Sequence, residues 1–458
     1  MLHRTLGMAP PASTLDPSVV ARWDQAVPRY TSYPTIPDWK TEFGAEDRLR
    51  ALSQGKPAQG FGVYIHVPFC RSRCRFCGCN VVVARNQSKG DVFVEAALDE
   101  LRHWLRAVPG ARPRLDALHL GGGTPTFLTP DQLQTLIDGV TSYFRVEDDV
   151  EMGFEAEPTV TTDEQLVRLF ELGFRRVSFG VQDVDQRVLQ IVGRPEHAEN
   201  LPARMETARS LNYESINLDL IYGLPGQSAP SWERSIDRVI DLQPDRIALF
   251  SFAFLPDRLR HQRPLGKHPR LEGAGKVDLF LRARTLLMEA GYVAIGMDHF
   301  ARPEDGLSQA LDEGRLGRNF QGYTDRASTE LIGIGPSAIS DVGGAYFQNP
   351  TRLAEYYVGV EQGDLPPARG LWRTKDDDDR RSIIMELMCT GRLRIGPSEG
   401  RLLAPELERL RSSEFEELVD FTEDGFQLRE AGLLFVRNVA MVFDAYRSAG
   451  ENRFSRSV

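Results

Sequence analysis

Four of the chain's five cysteines, Cys70, Cys74, Cys77 and Cys79, fall in the stretch "CRSRCRFCGC". Thiols crowded this closely bind metal or do redox chemistry where the surroundings are reducing. Cys70, Cys74 and Cys77 form C-x3-C-x2-C. A structural zinc site takes four thiolate or imidazole ligands, commonly as two pairs across a longer spacer, so zinc would have to recruit Cys79 or His66. A 4Fe-4S cluster is also held by cysteine thiolates. With three of them bound, one iron keeps an open position where a cofactor or substrate can attach. Spacing alone leaves both readings standing.

Other residues around this loop carry chemistry of their own. Tyr64 and His66 precede it on alternate positions of a β-rich run, so both project to one face. "GGGTPT" (121–126) lacks the G-K-[ST] ending of a phosphate P-loop and the G-x-G-x-x-G spacing of a dinucleotide fingerprint. Glycines at a strand end make a tight turn and also let backbone groups approach a ligand closely; the two uses are compatible. Glu155 and Gln182 end later runs. Asp219 lies inside an apolar run, where an unpaired carboxylate would cost roughly several kcal/mol, so a partner is expected.

The elements that must position these residues recur from Phe61 onward: a short β-rich run, a Gly/Pro loop, then a helix-like stretch. The runs are 61–67, 115–120, 150–156, 174–182, 215–222 and 246–252. Phe93, Ala97, Leu98, Leu101 and Leu105 show the three- and four-residue spacing of a helix face. Thr129-Pro130 predicts a helix start, and Thr161 with Glu164 has capping-box spacing, with Gly173 near that helix's end. Alternating strands and helices predict an α/β fold with a parallel sheet whose strand C-termini open on one face. Six units are too few for a closed eight-fold barrel and predict a partial (βα)6 barrel, with ligands at the C-terminal edge. The rhythm fails after about residue 300, where 317–324 reads as loop and 331–340 as a glycine-rich strand or turn. The expected division is an N-terminal arm over 1–60, the barrel and its extension over 61–370, and a smaller, mainly helical domain over 371–458. The acidic run Asp376 to Asp379 reads as a helix start or a solvated stretch.

With 55 basic against 65 acidic residues, the net charge is −10, which argues against a nucleic-acid partner. The first residues lack a continuous apolar stretch of signal-peptide length, and no segment has the apolar run of a membrane span. A cytoplasmic location is expected.

"YIHVPFCRSRCRFC" resembles the signature of the radical S-adenosylmethionine superfamily, with Phe76 as the aromatic before the last cysteine. "CGCN", "PRYTSYPT", "HLGGGTPTFL", "SFGVQD", "NLDLIYGLPGQ", "GMDHFARPED", "RNFQGYT" and "RFSRSV" narrow the resemblance to the oxygen-independent coproporphyrinogen III oxidases (dehydrogenases) of haem biosynthesis. The resemblance runs from about residue 28 to the last residue.

It implies that Cys70, Cys74 and Cys77 bind a 4Fe-4S cluster, and that Cys79 is a non-ligand that marks this enzyme group. It implies one or two molecules of S-adenosylmethionine held by Tyr64, Phe76, Gly122, Gly123, Thr124, Glu155, Gln182, Arg194, Asp219, Ala253 and Ile339. Tyr64, His66 and Cys79 are the candidate catalytic residues. The implied reaction begins with a 5'-deoxyadenosyl radical that takes a hydrogen from a propionate of coproporphyrinogen III; loss of carbon dioxide and an electron leaves a vinyl group. Arg29, Arg302 and Arg318 are candidates for binding the propionates of this tetra-anion, since like charges in a poorly hydrated pocket repel strongly. Implied partners are the substrate and an electron donor such as flavodoxin or ferredoxin, and a monomer is expected. One departure stands out: where the family has Glu-x-Asp-Pro-Arg, this chain has "EAEPT", with Glu157 and Thr159. A haem-binding chaperone and a radical methyltransferase or cyclopropane-forming enzyme are the rival readings.

Overall fold

A computed structural model describes residues 15–40, 43–55, 60–106, 108, 112–194, 197–326, 330–363, 369–447 and 454–457. Parts of the arm and two residues of the closing "RFSRSV" lie outside these.

Six strands alternate apolar and polar residues: β1 (Phe61–Val67), β2 (Arg114–Gly122), β3 (Arg145–Ala156), β4 (Arg176–Gln182), β5 (Ser215–Tyr222) and β6 (Arg246–Ser251). Each pairs in parallel with the next. The period of two sorts their side chains. In β5, Ile216, Leu218 and Leu220 are buried in the core, while Ser215, Asn217, Asp219 and Ile221 line a central cavity. The hydrophobic core therefore lies between the sheet and its outer helices, and the inside of the curved sheet is polar.

Helices α1 (Lys89–Leu105), α2 (Pro130–Tyr143), α3 (Asp163–Glu171), α4 (Gln186–Val192), α5 (His197–Ser210), α6 (Ala229–Asp241) and α7 (Ala274–Glu289) connect the strands. Thr129 caps α2 in a capping box with Gln132. The box of α3 is formed by Thr162 with Gln165, one residue later than Thr161 with Glu164. Thr161 is instead tied to Thr126, at 2.9 Å between hydroxyls, because two successive threonines offered the same cap and tertiary packing chose.

The sheet continues past both ends of the partial barrel. Beyond β6 come β7 (Val293–Ile295) and β8 (His299–Ala301). On the other side of β1 lie β9 (Leu331–Ile334), β10 (Ile339–Val342), β11 (Ala345–Gln348) and β12 (Arg369–Trp372), giving an open sheet of 12 strands in the order β12-β11-β10-β9-β1-β2-β3-β4-β5-β6-β8-β7. β9 pairs in parallel with β1, so a seventh parallel strand joins the six. Residues 317–324 form a short antiparallel hairpin rather than a loop.

The C-terminal part contains helix α8 (Lys375–Thr390) and a three-stranded antiparallel sheet of Arg392–Arg394, Gly425–Leu428 and Val419–Thr422. Thr374 and Asp377 form the capping box of α8, Asp376 and Asp379 pair with Arg380 and Lys375, and so the acidic run is a helix start favoured by the helix dipole. The arm binds this end of the chain: Ala26 bridges to Arg456, and the Tyr30 hydroxyl donates to Asp444 at 2.9 Å. Among the described residues no helix is long and apolar enough to cross a membrane.

Candidate active site

The cysteine loop leaves the C-terminal end of β1 and overhangs a cavity of about 640 Å³. The cavity runs down the polar inside of the barrel. Its far end is closed by ions: Arg176 binds Glu151 at 2.5 Å and Asp325 at 2.6 Å, and Arg246 binds Asp305 at 2.8 Å.

Each sulfur of the C-x3-C-x2-C loop accepts a hydrogen bond, although burial still pushes the Cys70 thiol up to about 11. Arg194 Nε donates to Cys74 Sγ at 3.0 Å, and the Thr124 hydroxyl to Cys70 Sγ at 3.4 Å. The Cys79 backbone N–H donates to Cys77 Sγ at 3.4 Å. Hydrogen bonding from Cys79 pulls the Cys77 thiol down to about 6, and the Cys77 thiolate in turn pushes the Cys79 thiol well up. Burial works against the charge of Arg194, but the Cys74 thiolate beside it raises its affinity for a proton. None of these four cysteines is in a disulfide.

Three features anchor the loop. Phe76 packs against the apolar cluster of Val188, Val192, Leu224, Phe252 and Leu265, with the Arg194 guanidinium 5.5 Å from its ring centroid. Gln262 Nε2 donates to the carbonyls of Phe76 at 3.0 Å and Ala253 at 3.1 Å. His261 Nε2 lies 2.7 Å from the Cys77 carbonyl.

Gly121 and Gly122 end β2 and Gly123 follows, at positions where no side chain fits. A Cβ on Gly121 would lie 2.8 Å from the Tyr64 ring, one on Gly122 2.8 Å from His66 Nδ1, and one on Gly123 2.7 Å from the Phe69 carbonyl. Gly122 also has φ +112, a conformation that strains any other residue. Its N–H donates to Glu155 Oε2 at 3.1 Å. Tyr64 and His66 stand behind these glycines. Burial holds His66 neutral by lowering its pKa, and its Nε2 lies 2.9 Å from the Asn80 carbonyl.

The expected partner of Asp219 is a pair: Asn217 Nδ2 donates to it at 2.7 Å and the Ser178 hydroxyl at 3.0 Å. Burial and the nearby Glu155 nonetheless raise its pKa to about 6.

Comparison with known proteins gives the same site a family. Residues 64–239 match the model of the radical SAM superfamily. The oxygen-independent coproporphyrinogen III oxidase of Pseudomonas aeruginosa is 37% identical over 457 residues, covering 97% of this chain and 98% of that protein. The Escherichia coli K12 enzyme of the same name is 38% identical over 452 residues, covering 97% and 98%. The solved structure of Escherichia coli coproporphyrinogen III oxidase (HemN), described as a radical SAM enzyme, superposes with a TM-score of 0.87 over 92% of this chain and 100% of that one. This chain belongs to the oxygen-independent coproporphyrinogen III oxidase family.

Membership in the radical SAM superfamily implies a 4Fe-4S cluster and S-adenosylmethionine. The donor set fits: three thiols on one loop, with an arginine, a hydroxyl and a backbone N–H directed at their sulfurs. Among the described residues no three His, Cys, Asp or Glu side chains converge on a single ion; a cubane does not ask for this, since each cysteine takes a different iron.

Of the residues that the family resemblance singled out, Cys70, Cys74, Phe76, Cys77, Cys79, Gly122, Gly123, Thr124, Glu155, Gln182, Arg194, Asp219, Ala253 and Arg29 line the cavity. Tyr64 and His66 stand behind the glycines, Arg318 lines a smaller cavity beside the main one, and Ile339 and Arg302 stand elsewhere. Ile339 packs beside Trp39, Tyr346 and Leu371, with its carbonyl against Gly333, the β9 partner of Tyr64. Arg302 stacks on Tyr292 at 4.8 Å and its N–H donates to the Asp245 carbonyl, at the N-terminal end of β6, because β8 runs antiparallel to β6 and carries Arg302 away from the mouth. The departing pair is mutually satisfied: Thr159 donates through its N–H at 2.9 Å and its hydroxyl at 2.7 Å to Glu157, which lines the cavity.

Several wall residues escaped the sequence reading. His119 stacks on Tyr64 with 14° between rings and lies 3.9 Å from Glu155. Ser178 and Asn217 also belong here. Polar residues at alternate positions of an apolar strand are the signal that could have found all three. His261 and Gln262 lie on an irregular segment remote in sequence, with no local signal.

Proposed function

We propose that the cavity is where coproporphyrinogen III is oxidatively decarboxylated, two of its propionate side chains being converted to vinyl groups to give protoporphyrinogen IX. Each conversion removes one hydrogen atom, one carbon dioxide and one electron. The carrying observation is the cysteine loop at the mouth of a polar cavity, in a chain aligned along nearly its whole length with enzymes of this name.

When bound, the cluster and S-adenosylmethionine supply a one-electron cleavage that yields a 5'-deoxyadenosyl radical. The chain's residues do the rest. Cys70, Cys74 and Cys77 hold the cluster, and Arg194 keeps the loop's thiolates compensated. Gly122, Gly123 and Thr124 bring the backbone at the end of β2 against S-adenosylmethionine, with Glu155, Gln182, Asp219 and Ala253 along the same wall. Neutral His66 and Tyr64 fix the floor beneath the glycines. Sitting deep in a barrel excludes water and oxygen from the reacting carbon. One or two cofactor molecules are held, a stoichiometry that equilibrium dialysis of labelled S-adenosylmethionine counts. The chain works as a monomer, which sedimentation under anaerobic conditions checks.

Arg29 and Arg318 are the propionate ligands in this reading. Arg29 lines the cavity and binds Asp298 at 2.7 Å. Buried Arg318 lies over Tyr323 at 4.5 Å, and among the described residues its Nε and Nη1 find no acceptor. An anionic oxygen satisfies such donors better than a neutral one. Anaerobic turnover with S-adenosylmethionine and dithionite tests the function: divinyl product supports it, tight haem binding without turnover favours the chaperone reading, and methylated product the transferase reading.

A further inference from the structure

The stretch "GMDHFARPED" (296–305) reaches the main cavity through a residue other than Arg302. His299 opens β8 and lines the cavity wall, and its neighbour Asp298 is buried. Asp298 holds two cationic side chains at once: its Oδ1 lies 2.7 Å from His299 Nδ1, and its Oδ2 accepts from Arg29 Nη2 at 2.7 Å. A carboxylate at one ring nitrogen fixes the imidazole and leaves the other nitrogen for a ligand. Among the described residues His299 Nε2 has no hydrogen-bond partner. Phe250 and Tyr323 hold the ring edge to face, with centroids 5.9 and 5.3 Å away. The same two rings carry the guanidiniums of Arg29, at 5.6 Å, and Arg318, at 4.5 Å.

Positive charge is in excess at this junction of arm, barrel and C-terminal part. Buried Arg437 donates to the carbonyls of Val27, Arg456 and Ser457, so its hydrogen bonds leave its charge uncancelled. Burial and the neighbouring Arg29 push its pKa down to about 10. Asp298 therefore faces Arg29, Arg318 and Arg437 together, and one carboxylate cannot balance three guanidiniums that repel one another out of water. Asp219 also interacts with His299, but Asn217 and Ser178 already hold it. An anion entering beside His299 meets this excess.

We propose that His299 Nε2 and the Arg29 guanidinium together bind one carboxylate of the substrate. The proposal rests on the reading that the cavity takes coproporphyrinogen III, and it makes His299 a binding residue of that site, with Asp298 the positioning residue behind both donors. With the carboxylate in place both ring nitrogens donate, Nδ1–H to Asp298 and Nε2–H to the ligand, and charge-assisted bonds of this kind are the strong ones. Phe250 and Tyr323, which also line the cavity, offer apolar surface to the methylene groups beside the carboxylate. S-adenosylmethionine has a carboxylate too, but next to an ammonium group that these cations repel.

Steady-state kinetics of the anaerobically reconstituted protein with coproporphyrinogen III test this, for wild type, His299→Ala, His299→Gln, Arg29→Ala, the double variant Arg29→Ala/His299→Ala, and Arg302→Ala as a control from the same stretch. His299→Ala is expected to raise KM about tenfold with kcat largely kept. His299→Gln, which keeps most of the ring's volume without its charge, should raise it at least about threefold. Because the two donors share one carboxylate, the double variant should raise KM by clearly less than the product of the single effects. Arg302→Ala is expected to keep the wild-type KM. Equilibrium dialysis of S-adenosylmethionine against the same proteins separates the two carboxylate sources and shows that the variants are folded. A KM within about twofold of wild type in both His299 variants, or a loss confined to S-adenosylmethionine affinity, overturns the proposal. Absence of divinyl product from the wild type overturns the assigned function and the proposal with it.

Discussion

Single residues hold the cysteine loop's charge in check. Arg194 donates to Cys74 Sγ and to the Gly180 carbonyl, two bonds set by a rigid fork that lysine cannot reproduce. Arg194→Lys should lower cluster iron content after reconstitution and cut 5'-deoxyadenosine formation by at least about tenfold, since a buried charge-assisted bond contributes roughly 1.5–3 kcal/mol. Iron assay and chromatography of the nucleoside check this. Asp219 makes a prediction about pH. Its folded pKa, about 6, lies above the ordinary 3.8, so the folded apoprotein binds the extra proton and stability falls as pH rises from about 4 to about 6. Asp219→Asn should remove that part of the decline, so melts of wild type and variant diverge across this window, and it should weaken S-adenosylmethionine binding. The cysteines were legible because their spacing is local. The carbonyl and side-chain partners of the loop were not, since His261 and Gln262 reach it only through the fold.

Elements put these residues within reach by alternation. Strands with apolar residues facing the helices and polar ones facing inward make the barrel's inside a binding cavity, and the six runs were visible in sequence for that reason. The end of β2 is a tight joint. Gly123→Ala would set a Cβ 2.7 Å from the Phe69 carbonyl and 3.0 Å from the Pro68 carbonyl carbon, both backbone atoms that cannot swing aside. A loss of about 1–3 kcal/mol is expected, read as a lower Tm in the apoprotein and a displaced cluster loop in the spectrum of the reconstituted one. The added parallel strand β9 was not legible, because its pairing with β1 joins segments far apart in sequence and "LIGIGPSAIS" fits a strand and a turn equally well.

At the scale of the whole molecule, the arm ties the chain's C-terminal end to both flanks of the sheet, through Ala26 with Arg456, Arg29 with Asp298 and Lys40 with Gly370. Burial alone would raise the pKa of Asp298, but His299, Arg29 and Arg318 hold it well below the usual carboxylate range, so the arm is clamped by a stable ion pair. Arg29→Ala should raise KM for coproporphyrinogen III severalfold while substrate-free cleavage of S-adenosylmethionine stays as in wild type; steady-state kinetics with both assays separates the effects. An arm touching the barrel could not be inferred from "PRYTSYPT" by composition, only by resemblance. In the proposed site three sulfurs hold the cubane and leave one of its irons free for S-adenosylmethionine. Mössbauer spectroscopy of anaerobically reconstituted protein tests it most directly. One iron of the four should change its signal on adding S-adenosylmethionine; four signals indifferent to the cofactor would contradict the claim.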